Sequence, residues 1–229
     1  MVHWRVVKPL VIAIDGPSGA GKGTLARAVA AALGYRHIDT GAMYRAVAWK
    51  AVHEGLSLDD DGQVSALAER AVLESSGGTV RIDGHDVTRA IRTPEIDKAA
   101  ASVARLPRVR QVLVERQRKL GEPRAVVIEG RDIGSVVFPD ADVKVYLDAS
   151  AEERARRRAS DPAHTGGKLG TLAGVQSDLQ ARDKSDQERP VAPLTMAADA
   201  VYIDTTGMPI ELVVERVMAI VNGKLQEGN

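Results

Sequence analysis

Residues Gly16-Pro-Ser-Gly-Ala-Gly-Lys-Gly-Thr24 restrict the possible folds of this chain more than any other stretch. They follow Leu10-Val-Ile-Ala-Ile14, an unbroken apolar run rich in β-branched side chains. Such a run reads as a strand buried on both faces. After the glycines comes Thr24 to Leu33, rich in Ala, Leu and Arg, which reads as a helix stopped by Gly34. A glycine-rich turn between strand and helix is the setting of a phosphate-binding loop. Gly16, Gly19, Gly21 and Gly23 let the backbone curl with its N–H groups inward and keep Cβ atoms away from phosphate oxygens. The helix N-terminus adds partial positive charge and Lys22 a full one. The loop has one departure from the common pattern. Gly23 stands where Ser or Thr usually serves a magnesium ion, and Thr24 follows it.

The strand–helix rhythm continues. Ala125-Val-Val-Ile128, Val143-Lys-Val-Tyr-Leu147 and Val201-Tyr-Ile203 are short apolar runs, each followed closely by an acidic residue. Helical stretches fill much of the space between them. The alternation predicts an α/β fold, a parallel sheet wrapped by helices. Two segments interrupt it. Between about residues 59 and 105, Thr79 to Val87 predicts a hairpin turning at Asp83-Gly84, and so an inserted subdomain. Glu152 to Arg189 is arginine-rich, passes through Asp161-Pro and Gly166-Gly167, and reads as an exposed, mobile segment. The tail from Asn222 is expected to fray.

Composition removes several function classes. Lys+Arg and Asp+Glu are both 31, so nothing suggests a nucleic-acid polymer or a membrane surface as partner. Aromatics are only 3%, which argues against a base-stacking platform. There are no cysteines, hence no disulfides or thiolate metal sites, and no run approaches a membrane span. The apolar run after Arg5 and Lys8 is too short for a signal peptide, so a cytoplasmic location is expected.

A phosphate loop implies a nucleoside triphosphate; the rest of the chain must name the acceptor. Asp39-Thr-Gly-Ala-Met-Tyr-Arg45 begins at the expected end of the second strand, and Glu129-Gly-Arg-Asp132 directly follows a later apolar run. Ligands of open α/β sheets bind beyond the carboxyl ends of the strands, so both segments fall at one edge. Arginines recurring there suit a second anionic ligand. A GTP-binding switch is excluded, because its Asn-Lys-x-Asp motif cannot be built with asparagine only at 222 and 229. A kinase of another small acceptor (UMP, AMP or a non-nucleotide metabolite) and a non-catalytic ATP-binding module remain as alternatives.

Ile14 to Thr24, Asp39 to Arg45, Glu129 to Gly134 with Val136-Val-Phe-Pro139, and Arg189-Pro-Val-Ala-Pro193 together resemble the bacterial cytidylate kinases. The resemblance spans roughly residues 10 to 222. It implies one phosphate-loop kinase domain over residues 1–229, with five parallel strands. An acceptor-binding insertion over about 40–108 would contain the small antiparallel hairpin, and an arginine-rich lid would span about 152–190. The implied activity transfers a phosphoryl group from ATP to CMP or dCMP. Gly16, Pro17, Ser18, Gly19, Ala20, Gly21, Lys22, Gly23 and Thr24 would bind ATP, with Mg2+ held mainly by its phosphates and water. Arg45 and Arg131 would hold the acceptor phosphate, and Arg110 with Asp132 would read the cytosine edge. Thr40 and Tyr44 would complete the CMP site, with Asp186 and Arg189 against its sugar and phosphate region. Arg157, Arg158 and Arg182 would join Lys22 and Arg131 as the catalytic cations. The family serine that helps read the base aligns with Ala101, so neighbouring Ser102 is expected to serve. A monomer is implied. The acceptor phosphate is already ionised and needs no general base, which suits motifs that contain none of the five histidines.

Overall fold

The structure, a computed structural model, describes residues 9–161 and 171–227. Arg5, Lys8, Gly166 and Gly167 lie outside the described residues. Strands β1 (Val11–Asp15), β2 (Arg36–Asp39), β6 (Val126–Glu129), β7 (Val143–Asp148) and β8 (Val201–Asp204) form a parallel sheet in the order β2-β6-β1-β7-β8. β1 is buried along its whole length, as its unbroken apolar run predicts. Its neighbours β6 and β7 lie on opposite sides, so the connections leaving β1 and β6 diverge and open a crevice at their carboxyl ends.

Helix α1 (Lys22–Leu33) starts at Gly21 and ends at Gly34, both left-handed. It buries Leu25, Ala26 and Val29 against one face of the sheet, together with α8 (Ile210–Glu227). The opposite face packs on Val114, Ile133 and Val137. The sequence predicts fraying from Asn222; among the described residues the chain stays helical to Glu227. α8 continues to Glu227, because Leu225 packs on the core and Lys224 pairs with Glu227 at 3.1 Å.

The insertion has a core of its own. Helices α2 (Thr40–His53), α3 (Asp61–Arg70), α4 (Pro94–Val103) and α5 (Pro107–Gly121) enclose an apolar cluster running from Ala42 to Leu113. β4 (Thr79–Ile82) and β5 (His85–Asp86) form the predicted hairpin, with Asp83 and Gly84 both at positive φ. A further strand, β3 (Leu73–Ser76), pairs with β4 through a second turn at Gly77-Gly78. α5 belongs to both bodies, since Leu113 enters the insertion's core and Val114 the sheet's. Between β7 and β8, α6 (Ala151–Ala159) packs against α7 (Leu172–Gln187). Among the described residues no helix is long and apolar enough to cross a membrane.

Gly16 has a φ of 140°, and a Cβ there would lie 2.0 Å from the Leu147 carbonyl oxygen in the neighbouring strand. Gly16→Ala combines backbone strain with a backbone clash and should lower unfolding free energy by about 2–4 kcal/mol in chemical denaturation.

Candidate active site

The loop at the end of β1 is fastened from several directions. Gly16 lies against Leu147 of β7, and Gly19 approaches Arg154 of α6. Arg154 is buried; its guanidinium donates to the Ser18 carbonyl at 3.1 Å and pairs with Asp183 of α7. Asp183 also accepts the Ser18 amide at 3.4 Å. Lys22, 7% exposed, donates from Nζ to the Pro17 carbonyl at 2.7 Å. Burial, then the neighbouring Arg131, lowers its pKa from 10.5 to about 7.

A single carboxylate joins this loop to the Gly130-Arg131-Asp132 segment. Asp15, the last residue of β1, accepts the amides of Ile133 at 2.8 Å and Gly134 at 2.7 Å. Burial raises Asp15 to about 6 despite those two bonds. The bonds hold the π-helical turn Ile133–Val137 and so fix where Arg131 and Asp132 emerge.

A cleft of about 380 Å³ runs from the loop to these residues. Ser18, Gly19, Gly21, Lys22, Gly23 and Thr24 line its loop side. Thr40, Tyr44, Arg45, Arg131, Asp132, Asp186 and Arg189 line its other side, and Arg157, Arg158 and Arg182 border it from the lid helices. The structure therefore brings most of the sequence-predicted residues together.

Polar contacts set their orientation. Thr40 Oγ1 donates to the Glu129 carbonyl at 2.7 Å, closing the start of α2 onto β6. Arg45 donates to Asp39 at 2.9 Å, and Arg131 Nε to Asp186 at 2.9 Å. Arg158 pairs with Asp97, whose second oxygen accepts from Arg182 at 3.1 Å. Several donors remain without a partner: Arg45 Nε, Arg182 Nε and Arg189 Nη2 are buried and unbonded. Burial, followed by repulsion from Arg131, lowers Arg182; burial and then Arg110 lower Arg189. Burial also brings Arg158 down to about 10. The site is crowded with cations and has room for anions.

Five predicted residues do not line this cleft. Gly16 and Pro17 form the frame of the loop, and Ala20 lines a second cavity of about 200 Å³ with Thr24, Thr205, Met208 and Ile210. Arg157 borders both cavities and donates to Thr205 Oγ1 at 2.8 Å. Arg110 stands behind the cleft wall, paired with Asp132 and 5.7 Å from the centre of the Tyr44 ring. Ser102 is the fifth. Ala100, Ala101 and Ala104 form that wall and Ser102 does not, because successive residues of α4 face different directions.

Sequence reasoning missed Asp15, Asp97, Arg154 and Asp183. Helical spacing carried a signal for one of them. Arg154, Arg157 and Arg158 share a face of α6 at i, i+3 and i+4, whereas Arg156 is exposed. His37 lies outside every motif, yet its Nε2 comes 3.0 Å from Glu129.

The sequence profile of the Cytidylate kinase family matches residues 12–223. The cytidylate kinase of Desulfitobacterium hafniense is 47% identical over 224 residues, covering 96% of each chain. That of Solibacter usitatus is 46% identical, again covering 96% of each. A crystal structure of an uncharacterized protein from Eubacterium ventriosum has a TM-score of 0.55 at 11% identity, covering 94% of this chain and 99% of the other, and shares the fold.

A bound polyphosphate should return Lys22 toward its ordinary pKa. At pH 8 free Lys22, with a pKa of about 7, is mainly neutral. Binding of a non-hydrolysable triphosphate should therefore take up protons, because the bound state has the higher pKa. Titration calorimetry in buffers of different ionisation enthalpy reads this uptake, and Lys22→Met should abolish it.

Proposed function

This chain belongs to the cytidylate kinase family, and on that premise we propose how its residues divide between two nucleotides. The chain transfers the γ-phosphoryl group of ATP to CMP or dCMP, giving CDP or dCDP and ADP. One observation carries the assignment of residues. A single cleft is lined both by Lys22 and the loop and by Arg45, Arg131 and Arg189, with Arg131 close enough to Lys22 to lower its pKa.

Lys22 and the loop amides hold the ATP phosphates. The second cavity, walled by Ala20, Met208 and Ile210, takes the donor's base, with Arg157 between base and phosphates. Arg45 and Arg131 hold the CMP phosphate, and the unbonded Arg45 Nε is available to it. Asp132 accepts from the cytosine amino group, while Arg110 fixes that carboxylate and leans on Tyr44. Thr40 anchors the start of α2 beneath the acceptor. Asp186 and Arg189 border the sugar. Arg158 and Arg182 neutralise the phosphate in transit. Both substrate places are built from one chain, so the monomer suffices.

Magnesium neutralises charge on the donor phosphates when it is bound. Its fit follows from the donor set. Gly23 offers no hydroxyl, and the Glu129 carboxylate lies 3.1 Å from where a Cβ on Gly23 would stand. A metal held mainly by phosphate oxygens and water suits this arrangement, with Thr24 and Glu129 holding waters of its shell.

The reaction needs positioning and charge neutralisation rather than a base. An oxygen of the CMP phosphate bonds to the γ-phosphorus as the bond to the β,γ-bridging oxygen breaks, and ADP leaves with that electron pair. The acceptor phosphate, with a second pKa of about 6, has already lost its proton at neutral pH. Cations already in place around the desolvated cleft stabilise the charge that redistributes during transfer.

A coupled assay of ADP release against CMP, dCMP, UMP, AMP and shikimate tests the function; no signal above the acceptor-free blank with any monophosphate would refute it. In the same assay Lys22→Ala should cut turnover by at least ~100-fold. Asp132→Asn should raise KM for CMP by about tenfold or more, the loss of a hydrogen bond to a charged group, with little effect on UMP.

A further inference from the structure

Asp97 sits on α4, in the acceptor insertion, and is 9% exposed. No motif includes it and no step above uses it. Its carboxylate is shared by two guanidinium groups from the lid region. Oδ2 pairs with Arg158 of α6, and Oδ1 accepts from Arg182 of α7 at 3.1 Å. The three residues line the same cleft as Lys22. One buried carboxylate thus joins the helix that walls the acceptor pocket to the two helices that bear the phosphate-facing arginines. α4 supplies that wall with Ala100, Ala101 and Ala104, one to two turns beyond Asp97.

We propose that Asp97 is a positioning residue that makes the placement of Arg158 and Arg182 depend on the acceptor subdomain, so that phosphoryl transfer outpaces ATP hydrolysis. The proposal rests on the reading of Arg158 and Arg182 as ligands of the phosphate in transit. An acceptor seated against α4 fixes that helix, and the shared carboxylate then fixes both guanidinium groups. Arg182 is the more dependent of the two. Its Nε has no partner, and Arg131 and Arg45 repel it, so Asp97 and Asp186 supply the opposing negative charge. Without Asp97 each arginine would follow the nearest anion, with or without an acceptor present. Asp97 itself touches no reacting atom and acts only through the two arginines.

The test compares the parent chain with Asp97→Asn, Asp97→Glu, Arg158→Ala, Arg182→Ala and the Asp97→Asn/Arg182→Ala double variant. ADP release is measured with CMP and without any acceptor. Asp97→Asn should lower kcat for transfer about tenfold, the size of a lost charge-assisted contact, and leave KM for CMP within about twofold. The ratio of acceptor-free ADP release to transfer should rise about tenfold, and Asp97→Glu should restore most of both losses. The double variant should lose less than the two single losses combined, because Asp97 acts in part through Arg182 and in part through Arg158. If Asp97→Asn does not fold, Asp97→Ser carries the same readouts. An unchanged ratio overturns the proposal, as does a rise in KM for CMP without loss of kcat, which would make Asp97 a support of the pocket only. If Arg158→Ala and Arg182→Ala leave transfer intact, the underlying reading of the lid arginines fails, independently of Asp97.

Discussion

Positive charge gathered in one desolvated cleft is the constraint around which this protein is built. Lys22, Arg158, Arg182 and Arg189 all have pKa values lowered first by burial. Burying unpaired charge is costly, and a buried cation persists only with partners. The partners come from every neighbouring element: Asp97 on α4, Asp132 after β6, Asp183 and Asp186 on α7. Arg131 shows the balance in one residue, since burial opposes its charge and the carboxylates of Asp186, Asp183 and Glu129 together outweigh burial. Two anionic nucleotides relieve the excess when they bind.

That balance explains what could be read from the chain and what could not. β1, the loop and α1 were legible because strand, glycines and helix follow one another within a few residues. The hairpin at Asp83-Gly84 was legible for a similar reason, as both residues take positive φ and the turn needs them. β3 gave no comparable signal, because Leu73-Glu-Ser-Ser lacks β-branched residues and apolar alternation. The arginines at the strand ends stood in motifs and were named. Their carboxylate partners were not, since Asp97 and Arg182 lie far apart in sequence and meet only through the packing of α4 on α7. For Ser102 the difference is on a finer scale, since Ala101 lines the cleft and Ser102 does not. One residue along a helix turns a side chain by about a quarter of a circle, which here separates the cleft wall from the neighbouring face.

The lid region is tied at two different levels. Arg154 binds the root of α6 to the loop backbone through Ser18, and with Asp183 it includes α7 in the same knot. Farther along α6, Arg157 donates to Thr205 and Arg158 pairs with Asp97. The i, i+3, i+4 face of one helix therefore addresses the loop, the turn after β8 and α4 in turn. Little apolar surface contributes to this packing, with Ala155 and Leu179 the buried apolar residues of the two helices. Charge pairs, which exchange partners more readily than a packed core does, dominate the contact between lid and body.

The carboxylate of Asp15 has a consequence for how such an enzyme can diversify. It joins the turn after β1 to the turn after β6, residues more than a hundred positions apart, by accepting two hydrogen bonds from backbone amides. The insertion between them has an apolar cluster of its own, although α5 also packs on the sheet through Val114. Mutations that lengthen, shorten or recontour the insertion leave the two joined turns in register. Selection can therefore reshape the insertion's own cluster while the two joined turns keep their places.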